Sequence, residues 1–175
     1  MHTVLEGPIR QVGFVVRDLQ AALKSWCSLG VGPWYTTGDH QLRDCWYRGD
    51  HCEPTISVAF ASSGPMQIEL IQPVDDTPSI YREFLDAGHE GYQQLAWWVR
   101  DFDAVTQAAN AAGWSQVFRG DGVVSFAYYE TDPIVTTIVE VAELNDAAQG
   151  LADLLDAAAA DWDGVTDPVR PLPRG

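Results

Sequence analysis

Two stretches of this chain carry the same hydrophobic rhythm. "RQVGFVVRDLQAAL" (Arg10–Leu23) and "QQLAWWVRDFDAVT" (Gln93–Thr106) each open on an apolar run of about six residues, long enough for a buried strand, and then reach Arg-Asp. After the Asp the apolar positions switch to helical spacing: Leu19, Ala22, Leu23 and Trp26 in the first copy, Phe102, Val105 and Ala109 in the second. Asp18 and Asp101 are natural N-caps, and Gly30 and Gly113 stand where each helix should stop. A constant offset of 83 aligns Gln11 with Gln94, Val16 with Val99, Arg17 with Arg100, Ala21 with Ala104 and Gly30 with Gly113, without a gap. The pattern predicts a duplicated βα unit.

Downstream of each unit the chain reads as strands. In the first half these are "PWYTT", "DCWYR", "TISVAFASS" and "MQIELIQP"; in the second, "WSQVFRG", "VVSFAYYE" and "TTIVEVAEL". Turn residues separate them, among them Gly49–Asp50, Ser63–Gly64–Pro65 and Gly120–Asp121–Gly122. Each half therefore reads β-α-β-β-β, an α+β pattern. The predicted organisation is one domain over 1–144, with a first module at 8–73, a linker helix within 77–88 and a second module at 91–144. Residues 145–175 form a tail: an acidic amphipathic helix with Leu151, Leu154, Leu155 and Trp162 on one side, then a Pro-rich extended segment. Such a helix either covers its own cavity or reaches a second chain.

Composition narrows the function classes. The net charge is −15, the reverse of what a nucleic-acid binder needs and unfavourable toward anionic membranes. No segment has the ~18 uninterrupted apolar residues of a spanning helix, and the opening decapeptide lacks the apolar centre of a leader. Cys27, Cys45 and Cys52 are an odd number without a CxxC pair, read as free, buried thiols in a reducing cytoplasm.

Tandem βαβββ modules resemble the vicinal oxygen chelate superfamily, which includes glyoxalase I, methylmalonyl-CoA epimerase, extradiol dioxygenases and bleomycin-resistance proteins. The resemblance covers about residues 8–144. It rests on "VGFVVRDLQAALKSWCSLGVGPW" as opening strand and helix, "MQIELIQP" as the fourth strand and "TTIVEVAEL" as the last; the tail "AAAADWDGVTDPVR" is similar to a glyoxalase-like bacterial subgroup. It implies a curved mixed sheet around a central cavity, with ligands from the first and fourth strands of each module. Those positions are Gln11, Glu69, Gln94 and Glu140. Alternation supports a common face: with Gln11 turned inward, Gly13 and Val15 lie on the same side, while Val12, Phe14 and Val16 face helices. Glu69 and Glu140 each interrupt an apolar strand, which is costly unless that face is wet, paired or functional.

The departure from the family is the glutamine. An extradiol dioxygenase needs two His and a carboxylate, whereas His2, His40, His51 and His89 all fall outside the core strand positions. Two carboxylates and two amide oxygens suit Mg²⁺, Mn²⁺ or Ca²⁺ better than Zn²⁺ or Ni²⁺. The same four groups also make a metal-free acid/base pair, since neighbouring buried carboxylates repel and one retains its proton. The sequence leaves both open. Trp98 shares phase with Gln94 and is the first candidate for the cavity wall; Tyr128 and Trp34 join it as substrate-binding candidates, with Tyr129 an alternative source of a hydroxyl. The resemblance implies a lyase or isomerase moving a proton next to a carbonyl through Glu69 or Glu140, on a small, fairly apolar or aromatic compound. Its alternative is a non-catalytic sequestering protein of the bleomycin-resistance kind. Arg43, Arg48 and Arg82 are the candidates for a basic patch. Paired modules with open edges are compatible with a homodimer.

Overall fold

The computed structural model describes residues 3–136 and 138–173; His2 lies outside them. The chain folds as α+β around one curved, unclosed mixed sheet. In chain order its elements are β1 (Gln11–Val15), α1 (Leu19–Ser28), β2 (Trp34–Gln41), β3 (Cys45–Tyr47), β4 (Asp50–Cys52), β5 (Thr55–Ser63), β6 (Met66–Pro73) and α2 (Ile80–Asp86). Next come β7 (Gly91–Val99), α3 (Phe102–Ala111), β8 (Ser115–Gly120), β9 (Phe126–Glu130), β10 (Ile138–Glu143), α4 (Asp146–Asp161) and β11 (Val169–Pro171).

The duplicated grammar is visible atom by atom at the helix ends. Asp18 accepts a hydrogen bond from Ala21 N at 2.9 Å, and Asp101 accepts one from Ala104 N at 3.0 Å. At the other end, Gly30 and Gly113 take φ of 81° and 82°. The amides just beyond them donate back to carbonyls in the last turn, Val31 N to Trp26 O and Trp114 N to Ala109 O. This is the left-handed stop that glycine adopts without a Cβ penalty.

Strand order is β11-β2-β5-β6-β1-β7-β10-β9-β8-β3-β4. The halves join where β1 meets β7 antiparallel, with Val12 opposite Leu95. Those positions are equivalent under the repeat offset, so a local twofold axis passes between them. The parallel partners obey it: Glu69 lies opposite Gly13, and Glu140 opposite Ala96, the repeat equivalent of Gly13.

One predicted strand behaves differently from the reading. Residues of "DCWYR" do form β3, but it leaves the first half and pairs with β8 in the second, Cys45 opposite Gly120. With β4 it makes a hairpin carried across the trough, so the first half holds an extra excursion between β2 and β5. Cys45 and Cys52 are buried free thiols within this hairpin, and burial pushes the Cys45 thiol up to about 12.

Helices α1 and α3 cover the convex face. Val16, Leu19, Leu23 and Leu70 pack under the first; Val99, Phe102, Ala109 and Val141 under the second. The concave face carries a separate cluster containing Val15, Ile56, Val58, Phe118 and Tyr128, into which α2 inserts Ile80, Tyr81 and Leu85. Helix α4 packs on β5, and β11 extends the sheet beside β2. The tail thus docks on its own chain. Among the described residues, no helix is long and apolar enough to cross a membrane.

Candidate functional site

Between α2 and α4 the concave face holds a partly open cavity of about 210 Å³. Gln11, Glu69 and Glu140 line it, and Gln94 lies in the sheet beneath with 0% exposure. The repeat symmetry explains this convergence. Gln11 and Gln94 each stand one residue before the twofold centre, and the two glutamates flank it on the outer parallel strands.

Gly13 makes room for the arrangement. A Cβ there would collide with Nε2 and Cδ of Gln94, so the Gln94 amide lies directly over the glycine. From that position Nε2 donates to Glu69 Oε2 at 3.4 Å and to the Tyr128 hydroxyl at 3.2 Å. The Tyr128 hydroxyl is in turn 3.1 Å from that of Tyr81. Gln11 is held differently: its Nε2 donates to Gln67 Oε1 at 2.5 Å. Register pairs Gln67 with Gln11, and it too lines the cavity. Strand alternation from Glu69 was the signal for it, two residues earlier on the same face.

Electrostatically the site is acceptor-rich. Glu140 is 6% exposed, and its Oε2 and Gln94 Oε1 are buried without a donor among the described residues. Burial raises the Glu140 carboxyl to about 7, although the neighbouring Gln94 amide and Tyr128 hydroxyl favour its charged form. Glu69 is raised well above the usual carboxylate range, by burial first and then by the charge of Glu140. The two therefore titrate as a pair. Tyr81 and Tyr128 are pushed well above the usual phenol range, chiefly by burial, and stay protonated.

Of the aromatic candidates, Tyr128 and Trp98 line the cavity, and the Trp98 ring carries the Arg10 guanidinium on its face at 4.7 Å. Trp34 does not reach it. Fully buried, it packs with Leu23 and Leu70 on the α1 side, donates Nε1–H to Val31 O at 2.9 Å and meets Trp26 edge-on. Tyr129 also faces away, toward Trp114. His40, which the strand reading leaves outside the core positions, lies on β2 and lines the cavity. A shift in the β2–β5 register between Thr36 and Asp39, invisible to simple alternation, changes the facing of the residues beyond it. Its Nδ1 is 3.1 Å from the Gly38 carbonyl, which makes Nδ1 the donor in that contact. Arg43, Arg48 and Arg82 are absent from the wall. Arg48 is held outside by Glu83 and Glu130, and Arg82 by Asp76.

No group of three or more His, Cys, Asp or Glu is placed to hold a metal ion among the described residues. The orphaned oxygens of Gln94 and Glu140, with the Glu69 carboxylate, nevertheless form a hard oxygen set that fits a divalent cation of the Mg²⁺ or Mn²⁺ kind.

Paired βαβββ halves with a polar centre at their shared face define a vicinal oxygen chelate fold. The model of the Glyoxalase/Bleomycin resistance protein/Dioxygenase superfamily matches residues 10–128, and the chain belongs to that superfamily. A hypothetical protein from Bacillus halodurans C-125 superposes with a TM-score of 0.58 at 18% identity, over 79% of this chain and 95% of that one. Methylmalonyl-CoA epimerase from Mycobacterium tuberculosis superposes with a TM-score of 0.55 at 22% identity, over 81% and 91%. A variant of the Streptomyces coelicolor epimerase in complex with 2-nitronate-propionyl-CoA gives 0.54 at 15%, over 79% and 95%. These likenesses are of fold. No curated protein sequence matches the chain.

Proposed function

We propose that this protein is a glyoxalase-like isomerase or lyase that moves a proton on the carbon next to a carbonyl of a small, fairly apolar compound. The observation that carries the reading is a pair of carboxylates, Glu69 and Glu140, on twofold-related strands facing one buried cavity. The resemblance to epimerase structures is consistent with it. Glu140 is the base: near neutral pH its carboxyl is partly ionised. Its oxygen takes the proton from the α carbon, and that C–H electron pair moves into the carbonyl to form an enolate. Glu69, whose carboxyl is raised by burial and by the charge of Glu140, returns a proton to carbon from its own side. The Gln11 amide, anchored by Gln67, and the Gln94 amide orient the carbonyl oxygen and the two acids. A divalent cation held by Gln11, Glu69, Gln94 and Glu140 would supply Lewis-acid stabilisation of the enolate oxygen.

The mostly apolar wall, with Phe60, Trp98 and Phe126, equally favours the second reading, a protein that sequesters its ligand. Solvent hydrogen exchange separates them. With ketone probes in D₂O followed by NMR, the wild type is expected to catalyse exchange of the α proton. Glu140→Gln and Glu69→Gln should each slow it by about 10²-fold or more while binding persists. Binding without exchange would establish sequestration instead.

A further inference from the structure

The roof of the cavity lies beyond the residues that the family model matches. Helix α4 starts at Asp146, well after residue 128. Its first end is tied to the second half, where the Asn145 side-chain amide donates to Val123 O at 2.7 Å. Its far end is tied to the first half by a hydrogen bond between Ser62 on β5 and Asp156. The helix therefore bridges both walls of the trough, and between its ties Ala148 and Leu151 line the cavity. Below, Tyr81 on α2 lines the opposite end.

The charge of this enclosure is one-sided. Its ionisable lining consists of Glu69, Glu140, Glu143, His40 and two tyrosines, with no Arg or Lys. Arg10 stacks on the Trp98 ring but is not part of the cavity wall and lies in a small recess shared with Asp156. An anion entering would face the Glu69 and Glu140 carboxylates with no Arg or Lys in the wall to offset them, in a chain already at −15. The volume is modest as well, about 210 Å³ against the ~300–1,000 Å³ usual for small-molecule pockets.

Resting on the proton-transfer reading of this site, we propose that its substrate is a compact, uncharged ketone or aldehyde seated beneath α4. Leu151 is the residue that sets its size. A phosphate-bearing thioester, which needs both an anion site and a path for a long tail, is excluded. Leu151 touches the ligand but takes no part in moving the proton.

The test uses the full-length protein, calorimetry, and a set of uncharged ketones running from cyclohexanone through acetophenone to 2-tetralone. Benzoate and propionyl-CoA are the anionic counterparts. At least one ketone is expected to bind, about tenfold or more tighter than benzoate, with propionyl-CoA silent. Leu151→Trp should abolish ketone binding while circular dichroism and melting temperature stay near wild type. Leu151→Ala should shift preference toward the larger 2-tetralone and serves as the check if the Trp variant misfolds. Equal or tighter binding of either anion overturns the proposal, as does failure of every ketone to bind or indifference of size preference to both Leu151 changes. The two readings fail separately. Ketone binding without α-proton exchange removes the catalytic reading and leaves the compact neutral ligand. Exchange catalysed on propionyl-CoA removes the compact neutral ligand and leaves the chemistry.

Discussion

A β-carbon at position 13 has nowhere to go, because the Gln94 amide occupies that space. The displaced amide is completely buried and is the donor to both Glu69 and Tyr128, so it cannot swing into solvent. Gly13→Ala is expected to cost about 1–3 kcal/mol in urea denaturation. Adding Gln94→Ala should recover part of the loss, with a coupling of about 1 kcal/mol or more in the double-mutant cycle; strict additivity would mean the two side chains do not compete. Glu140 gives a second residue-scale expectation. A carboxyl raised in the folded state binds its proton more tightly there than in the unfolded chain. Its contribution favours folding below the ordinary value of 4.5 and is lost as pH rises through about 7. Over that window the loss is on the order of 3 kcal/mol. Glu140→Gln should flatten the fall in melting temperature between pH 5 and pH 8; a slope equal to wild type would mean the group is not buried as described. Gln11, Glu69, Gln94 and Glu140 were legible because each breaks or heads an apolar strand at a duplicated position. Trp34 was not, since an aromatic at a strand start carries no sign of which face it takes.

Secondary elements were legible where their signals are local. The caps Asp18 and Asp101 and the stops Gly30 and Gly113 specify α1 and α3 from within a few residues. The route of β3 was not legible, because its partner β8 lies some seventy residues downstream and pairing is decided by the tertiary trough. Helix α4 lies between these cases. Its apolar side marked it as a docking helix, while its role as a roof comes from the ties at its two ends. Asn145 makes the first tie and is also the N-cap, accepting from Ala148 N at 3.0 Å. Asn145→Ala is expected to weaken α4 by about 1–2 kcal/mol. Hydrogen exchange should rise along Asp146–Asp161 while the amides of β6 keep their protection. Loss of protection in both would mean that the helix and the sheet open together.

At the scale of the molecule, duplication turns one short sequence into a site with twice its donors. Neither half holds more than one Gln and one Glu of the central set, and the twofold through Val12 and Leu95 brings them to one site, with Gln11, Glu69 and Glu140 on the cavity wall and Gln94 beneath it. The resulting excess of oxygen acceptors needs protons or a cation, and the two compete. Cation binding requires Glu140 and Glu69 to ionise, so affinity should rise with pH through the region near 7, by about tenfold per pH unit for each proton displaced. Titration with Mn²⁺ at pH 6 and pH 8, read by the electron paramagnetic resonance of the free ion, measures this. A chain of net charge −15 also attracts cations without specificity. The comparison therefore belongs at an ionic strength of about 0.15 M, where the Debye length is about 8 Å and distant surface charge is screened. Glu140→Gln separates the two sources. It removes one of the chain's many surface and buried charges and leaves the diffuse attraction almost untouched, but takes a ligand and a displaceable proton from the cavity. A shallower pH slope and weaker binding in that variant place the ion between the glutamates. Wild-type slope and affinity in the variant would assign the bound Mn²⁺ to the acidic surface and leave the pair to work by protons alone.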